Sequence, residues 1–237
     1  MKLLPRIFRP NYEFDIIRLG TNYDGGYLVE RSSVLNSKYL FSFGISTNWD
    51  FEKDFISINN IEFLAFDGSV SHHFWDNLII SKIKKLSLSK AIKIWNQKIN
   101  FYRFFNEKNF ISKYIGKSLP NSLSFNEVIN KIESNNIFFK IDIEGSEYEI
   151  LNEILYHQNN IIGLCIEFHN CNAYFDKIQK FIKNFKLELV HIHANNYEQP
   201  LNNYFPNILE ITFAKNPKVI GEYKELPHSL DMPNRSK

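Results

Sequence analysis

Residues 136–151, Asn-Ile-Phe-Phe-Lys-Ile-Asp-Ile-Glu-Gly-Ser-Glu-Tyr-Glu-Ile-Leu, change their hydrophobic period half-way along. Ile137, Phe138, Phe139, Ile141 and Ile143 form a β-branched and aromatic run of the kind that makes a buried strand. From Gly145 onward, Tyr148, Ile150, Leu151, Ile154 and Leu155 recur at helical spacing. Asp142, Glu144 and Glu147 lie at the junction, where a strand ends and a helix begins. In an open α/β sheet, ligands bind at that carboxyl edge. Acids are costly to bury, so Asp142 and Glu144 at the tip of so apolar a strand mark a candidate site. Glu147, in the first helical turn, needs no more than the positive helix N-terminus to explain it.

Other segments repeat the alternation. Strands are expected at Tyr39–Phe43, Ile61–Phe66, Ile99–Phe105, Ile137–Ile143, Ile161–Phe168, Leu187–His193 and Ile208–Phe213. Helices are expected at Phe51–Ile58, over about Phe74 to Gln97, at Ser124–Ile132, after Gly145 and at Tyr174–Phe185. Ser124 with Glu127 three residues on is a capping-box pattern. Lys82, Lys84, Lys85, Lys90 and Lys93 read as a solvated helix face. Strands alternating with helices predict an α/β fold, a mostly parallel sheet with helices on both faces. The last two strands are joined without a helix, so they are expected to pair as an antiparallel hairpin. Length favours one domain: an N-terminal extension (1–37), a core (38–217) and an irregular tail (218–237).

Composition narrows the class. Of 237 residues, 44% are hydrophobic and 16% aromatic, enough for a substantial core and too many for disorder. A net charge of +2 is too mild to point to nucleic acid. Cys165 and Cys171 do not make a disulfide framework, which fits a reducing cytoplasm. No apolar run approaches the roughly 20 residues of a membrane span, and the start Met1-Lys-Leu-Leu-Pro-Arg lacks the hydrophobic centre of a signal peptide. The expectation is a soluble protein.

Gly44 directly follows the first core strand, where a glycine lets backbone N–H groups approach a ligand. Roughly 20 residues on, Asp67 ends the second strand, where an acid can accept hydrogen bonds from ribose hydroxyls. An ordinary βα turn would carry the same two residues. A dinucleotide fingerprint would have three glycines, and this turn has one. That favours a nucleoside cofactor without phosphates, of which S-adenosyl-L-methionine is the common one.

Four blocks resemble the FkbM-type class I methyltransferases: Arg18 to Tyr27 with Asp24-Gly25-Gly26-Tyr27, Phe41 to Glu52, Phe66-Asp67, and Lys140-Ile-Asp142-Ile-Glu144-Gly145-Ser-Glu147. The last is the most specific, and the resemblance runs from about Arg18 to the final strand. It implies a Rossmann-like class I methyltransferase fold with a seven-stranded sheet, S-adenosylmethionine as methyl donor, and O-methylation of sugars or other hydroxylated metabolites. By this likeness Gly44 and Ser46 would line the methionine moiety, Asp67 would hold the ribose, and Gly25, Gly26 and Tyr27 would close over the cofactor. Ser46 and Asn48 stand where glycines are common in such enzymes. Physically, Asp24-Gly-Gly-Tyr reads as a tight turn between short extended segments.

Methyl transfer to a hydroxyl needs a positioned oxygen and a proton acceptor. Asp142, Glu144, His169 and His193 are expected to gather at neighbouring strand ends. His169 is the first choice as base and His193 the second. His191 and His193 share a strand face, so one of them can be a satisfied core residue. Asn195 and Asn196 serve equally as turn formers or substrate ligands. A divalent metal on the acids and imidazoles is the rival mechanism, although the spacing matches no known metal motif and no metal is assigned. The partner expected is a small-molecule or glycan substrate, its specificity set by loops such as 195–206 and by the basic helix region. Two alternatives stand beside this: a metal-dependent glycosyltransferase using Asp142 and Glu144, and an inactive nucleoside-binding scaffold.

Overall fold

The computed structural model describes residues 5–196 and 205–235. Most of the loop 195–206, expected to shape specificity, lies outside the described residues, as do the first four residues of the chain. Seven strands form the main sheet: β1 (Tyr39–Phe43), β2 (Glu62–Phe66), β3 (Phe110–Ile111), β4 (Ile137–Ile141), β5 (Ile161–Phe168), β6 (Glu188–Ala194) and β7 (Leu209–Ala214). Their spatial order is β6-β7-β5-β4-β1-β2-β3. Only β7 is reversed, pairing antiparallel with both β5 and β6. The helices are α1 (Arg31–Leu35), α2 (Asp50–Ile58), α3 (His72–Lys84), α4 (Leu88–Phe104), α5 (Phe125–Ile129), α6 (Glu147–His157) and α7 (Cys171–Asn184).

Central strands β1, β4 and β5 are buried at every residue, which is why they read as continuous apolar runs rather than alternations. Alternation still sorts their side chains. Phe41, Phe43, Phe139 and Ile141 pack with Ile150, Ile154, Ile178 and Phe181 in one layer. Leu40 and Phe138 point the other way, against Val34, Phe51 and Phe55. The expected capping box opens α5: Glu127 N donates to Ser124 Oγ at 3.2 Å, and Ser124 N donates to Glu127 Oε2 at 2.7 Å.

Three expectations need correction. The helical region from Phe74 to Gln97 is two helices, broken at residues 85–87, where Leu86 takes a left-handed φ of +52°. Residues 99–105 are no strand but the end of α4 and its C-cap. The β propensity of this aromatic run gives way to tertiary packing, since Phe101 and Phe105, one helical turn apart, bury themselves against Trp49 and Trp75. The edge strand is the two-residue β3 instead, paired with Ala65 and Phe66. Finally, the stretch after 218 is not all irregular, because Val219–Glu222 pairs antiparallel with Tyr12–Phe14. Earlier in the chain, the short extended segments expected on either side of the Asp24-Gly-Gly turn are Ile16–Leu19 and Tyr27–Glu30, which pair antiparallel.

Candidate active site

Backbone bonds continue past the strand tips and draw three loops to one rim. Asp142 N donates to Phe43 O and Gly44 N donates to Phe66 O, both at 2.9 Å. The approach is close enough to require glycine at 44: a Cβ there would lie 1.6 Å from the Asp142 carbonyl oxygen, and φ is +79°. Beside this junction lies a cavity of about 470 Å³. Asp24, Gly25, Gly44, Ser46, Asp67, Asp142 and Glu144 all border it, so six of the expected site residues meet around one space. Ile45, Phe66, Tyr114 and Leu119 supply apolar wall.

Asp67 is committed to the protein. Its Oδ2 accepts from Ile45 N (2.9 Å) and Ser46 N (2.7 Å), and its Oδ1 accepts from Ser69 N (2.8 Å) and Ser69 Oγ (2.6 Å). A carboxylate has about four lone-pair sites, so a ribose would have to displace one of these donors. Asp67 therefore holds the Gly44–Ser46 turn in shape as well as bordering the cavity.

Asp142 and Glu144 leave the tip of β4 in a tight turn. Glu144 takes a left-handed φ of +55° and Gly145 one of +106°, which points the Glu144 side chain outward, 86% exposed. Tyr27 does not border the cavity but stands behind Asp142, and its hydroxyl donates to Asp142 Oδ2 at 3.0 Å. The Tyr27 oxygen is also 3.3 Å from Glu167 Oε2. One hydroxyl proton cannot serve both contacts. Burial, with the charges of Asp142 and Glu210, pushes the Glu167 pKa up to about 10, so Glu167 can supply the second proton. Gly26 is off the cavity too, and serves the turn: a Cβ there would meet the Thr21 carbonyl oxygen at 1.8 Å.

His169 follows β5 and does not itself border the cavity; it is buried just behind Asp142 and Glu144, which do. Its Nδ1 lies 3.0 Å from Glu147 Oε1. Its Nε2 lies 3.4 Å from Glu144 Oε2, 3.4 Å from Glu167 Oε1 and 4.0 Å from Asp142 Oδ1. Burial alone would lower the His169 pKa; the Glu147 hydrogen bond and the surrounding carboxylate charges outweigh it and raise the pKa. Glu147 thus does more than complement its helix. It is fully buried, accepts from Ile143 N (3.3 Å) and Gly145 N (3.1 Å), and orients the imidazole. Asp142, Glu144 and His169 each offer a ligand atom within 4.8 Å of the others, a set able to hold a divalent ion.

His193 is occupied elsewhere. Its Nδ1 is 3.1 Å from Asp231 Oδ1 and its Nε2 is 2.9 Å from Asn234 Oδ1, and it does not border the cavity. His191, on the same face, lies 3.2 Å from the same Asp231 oxygen and is buried. Both histidines therefore anchor the C-terminal segment.

Sequence reasoning passed over Lys140, Glu52 and Glu167. Lys140, which opens the most specific block, is buried, donates to the Gly44 carbonyl oxygen and lies 3.6 Å from Asp142 Oδ2. Burial opposes its charge, but Asp142, Glu52 and Glu167 raise its pKa, so it stays an ammonium. A lysine inside a five-residue buried strand was the available signal. Glu52, also buried, accepts from Ser42 Oγ through one oxygen and leaves the other without a partner in the cavity wall.

No protein-family model and no curated protein matches this chain. Solved structures that resemble its backbone include two methyltransferases. Precorrin-6y C5,15-methyltransferase from Geobacter metallireducens GS-15 gives a TM-score of 0.39 at 11% identity, over 77% of this chain and 85% of that one. A candidate tRNA (m1A22) methyltransferase from Streptococcus pneumoniae, in complex with S-adenosyl-L-methionine, gives 0.40 at 12% identity, over 83% and 72%. The fold does not rest on these likenesses. A seven-stranded sheet ordered β6-β7-β5-β4-β1-β2-β3, with β7 alone reversed and helices on both faces, is a Rossmann-like class I methyltransferase fold.

Proposed function

We propose that this chain is an S-adenosylmethionine-dependent methyltransferase that methylates a hydroxyl on a sugar, glycan precursor or related small metabolite. The observation that carries the reading is the charge of the cavity. Asp24, Glu52, Asp67, Asp142 and Glu144 border it, against Lys113 and Lys140 as the cations. A wall so rich in carboxylates favours a ligand bearing a sulfonium and an ammonium, and opposes a nucleoside diphosphate. The volume of about 470 Å³ falls within the roughly 300–1,000 Å³ of small-molecule sites. Fit is further supported by the unpartnered Glu52 Oε2 and Asp142 Oδ1, both buried acceptors. The nature of the acceptor rests on the resemblance of the Lys140–Glu147 block.

When bound, the cofactor supplies an electrophilic methyl carbon, whose bond to sulfur breaks as the bond to the acceptor oxygen forms. The chain supplies the rest. Lys140, donating to Gly44 O and close to Asp142, fixes the floor where the two loops meet. Asp142, steadied by Tyr27, orients the acceptor hydroxyl. His169, held through Nδ1 by Glu147, takes the hydroxyl proton at Nε2. The cluster of Asp142, Glu144 and His169 also favours a second reading, in which a divalent ion lowers the pKa of the acceptor hydroxyl.

A screen of labelled methyl transfer onto free sugars and glycan precursors tests the reading. Transfer that His169→Ala abolishes supports the base; transfer lost with EDTA and restored by Mn²⁺ supports the metal. Cofactor binding without turnover on any acceptor would leave the scaffold alternative.

A further inference from the structure

Helix α4 carries two apolar faces, one packed into the core and one turned to solvent. Its inner face (Ile94 and Phe101, with Phe105 just beyond) packs with Trp49 and Trp75, and Ala91 is buried as well. Leu88, Ile92, Trp95, Ile99 and Tyr102 recur at spacings of four, three, four and three residues, the period of a single helical stripe, and all five are exposed. Exposure is highest toward the tip of the α3–α4 hairpin: Trp95 53%, Ile92 61%, Leu88 64% and, in the connecting turn, Leu86 92%. Ile80 and Ile83 of α3 are exposed as well. Isolated exposed apolar residues need no explanation, but a continuous row of this kind does.

Charge identifies what would cover it. Between Asp76 and Glu107 there is no acidic residue, whereas Lys82, Lys84, Lys85, Lys90, Lys93, Lys98 and Arg103 place seven cations on this one hairpin of a chain whose net charge is +2. Lys98 is paired with Asp76, while Lys84, Lys85, Lys90, Lys93 and Arg103 are exposed. A second copy docked on this face would bring cation rows against each other with no acid to relieve them. A nucleic acid would satisfy the cations and leave the aliphatic row in water. Exposed basic side chains and an exposed row of Ile, Leu and Trp on the same hairpin are the pattern of an interfacial element on anionic lipid.

We propose that the outer face of the α3–α4 hairpin docks on an anionic lipid bilayer, with Leu86, Leu88, Ile92 and Trp95 entering the interface and the lysines meeting headgroups. This stands apart from the catalytic reading, although Gln97 Nε2 donating to Thr47 O ties the hairpin to the cavity loop.

The full chain provides its own probe. Trp49 and Trp75 are buried, so Trp95 is the tryptophan that senses a change of solvent. With vesicles of phosphatidylcholine and phosphatidylglycerol the chain co-sediments and its emission shifts to the blue; with phosphatidylcholine alone it does neither. Leu86→Ser combined with Ile92→Asn, and separately Lys84→Glu combined with Lys85→Glu, each weaken vesicle binding by about tenfold or more, while the circular-dichroism melt is unchanged. The proposal is overturned if the chain ignores anionic vesicles or if both variants bind as the wild type does. It is equally overturned if sedimentation equilibrium finds a dimer that Leu86→Ser with Ile92→Asn dissolves, or if an oligonucleotide binds where vesicles do not.

Discussion

Glu147 shows how one buried carboxylate can serve two elements at once. It closes the Ile143–Gly145 turn through two backbone amides and fixes His169 through Nδ1. Glu147→Ala strands those donors in a dry interior, so denaturant unfolding should show a loss of about 2–4 kcal/mol. Glu147→Gln keeps an acceptor and should cost less, while still lowering turnover because His169 loses its anionic neighbour. The cysteines illustrate burial without function. Burial pushes the Cys165 thiol far up and the Cys171 thiol up to about 12. Both should therefore resist alkylation in the native protein and react together on unfolding.

At the scale of elements, helix α4 and the C-terminal segment carry the main departures from expectation. Phe101 faces the Trp49–Trp75 cluster and Ile99 faces solvent, so Phe101→Ala should cost about 3–5 kcal/mol and Ile99→Ala under about 0.5 kcal/mol. Equal costs would restore the strand assignment. The buried strands β1, β4 and β5 were legible because continuous apolar runs bounded by turns have few other readings. Residues 99–105 were not, because aromatic residues suit a strand and a packed helix alike, and Trp75 decides between them from 26 residues away in sequence. The partners of His191 and His193 were hidden for a related reason: Asp231 and Asn234 lie in a tail with no periodic pattern. Burial alone would raise the Asp231 pKa, but the contacts from His191 and His193 hold it well below the usual carboxylate range. Its contribution is thus complete above an unfolded value near 3.9 and lost as pH falls through the folded one. His193, raised despite burial by Asp231, Glu210 and Asn234, contributes below about 6.5 and loses that contribution as pH climbs through its folded pKa. His191 is lowered, burial outweighing its contact, and trims that gain. Amide exchange over 223–235 should accordingly accelerate in strong acid, and Asp231→Asn should abolish that acid limb.

Across the whole molecule, the sheet order brings Gly44, Asp67 and Asp142 to one rim, although they are far apart in sequence. The same cavity sets five carboxylates against two lysines, an imbalance that favours a positively charged ligand, as proposed. Titration calorimetry on the full chain reads this most directly. S-adenosylmethionine and S-adenosylhomocysteine should both bind at one site per chain, the charged sulfonium more tightly at low salt, with uridine diphosphate giving no heat with or without Mn²⁺. Saturable binding of uridine diphosphate in place of both thionucleosides would contradict the account.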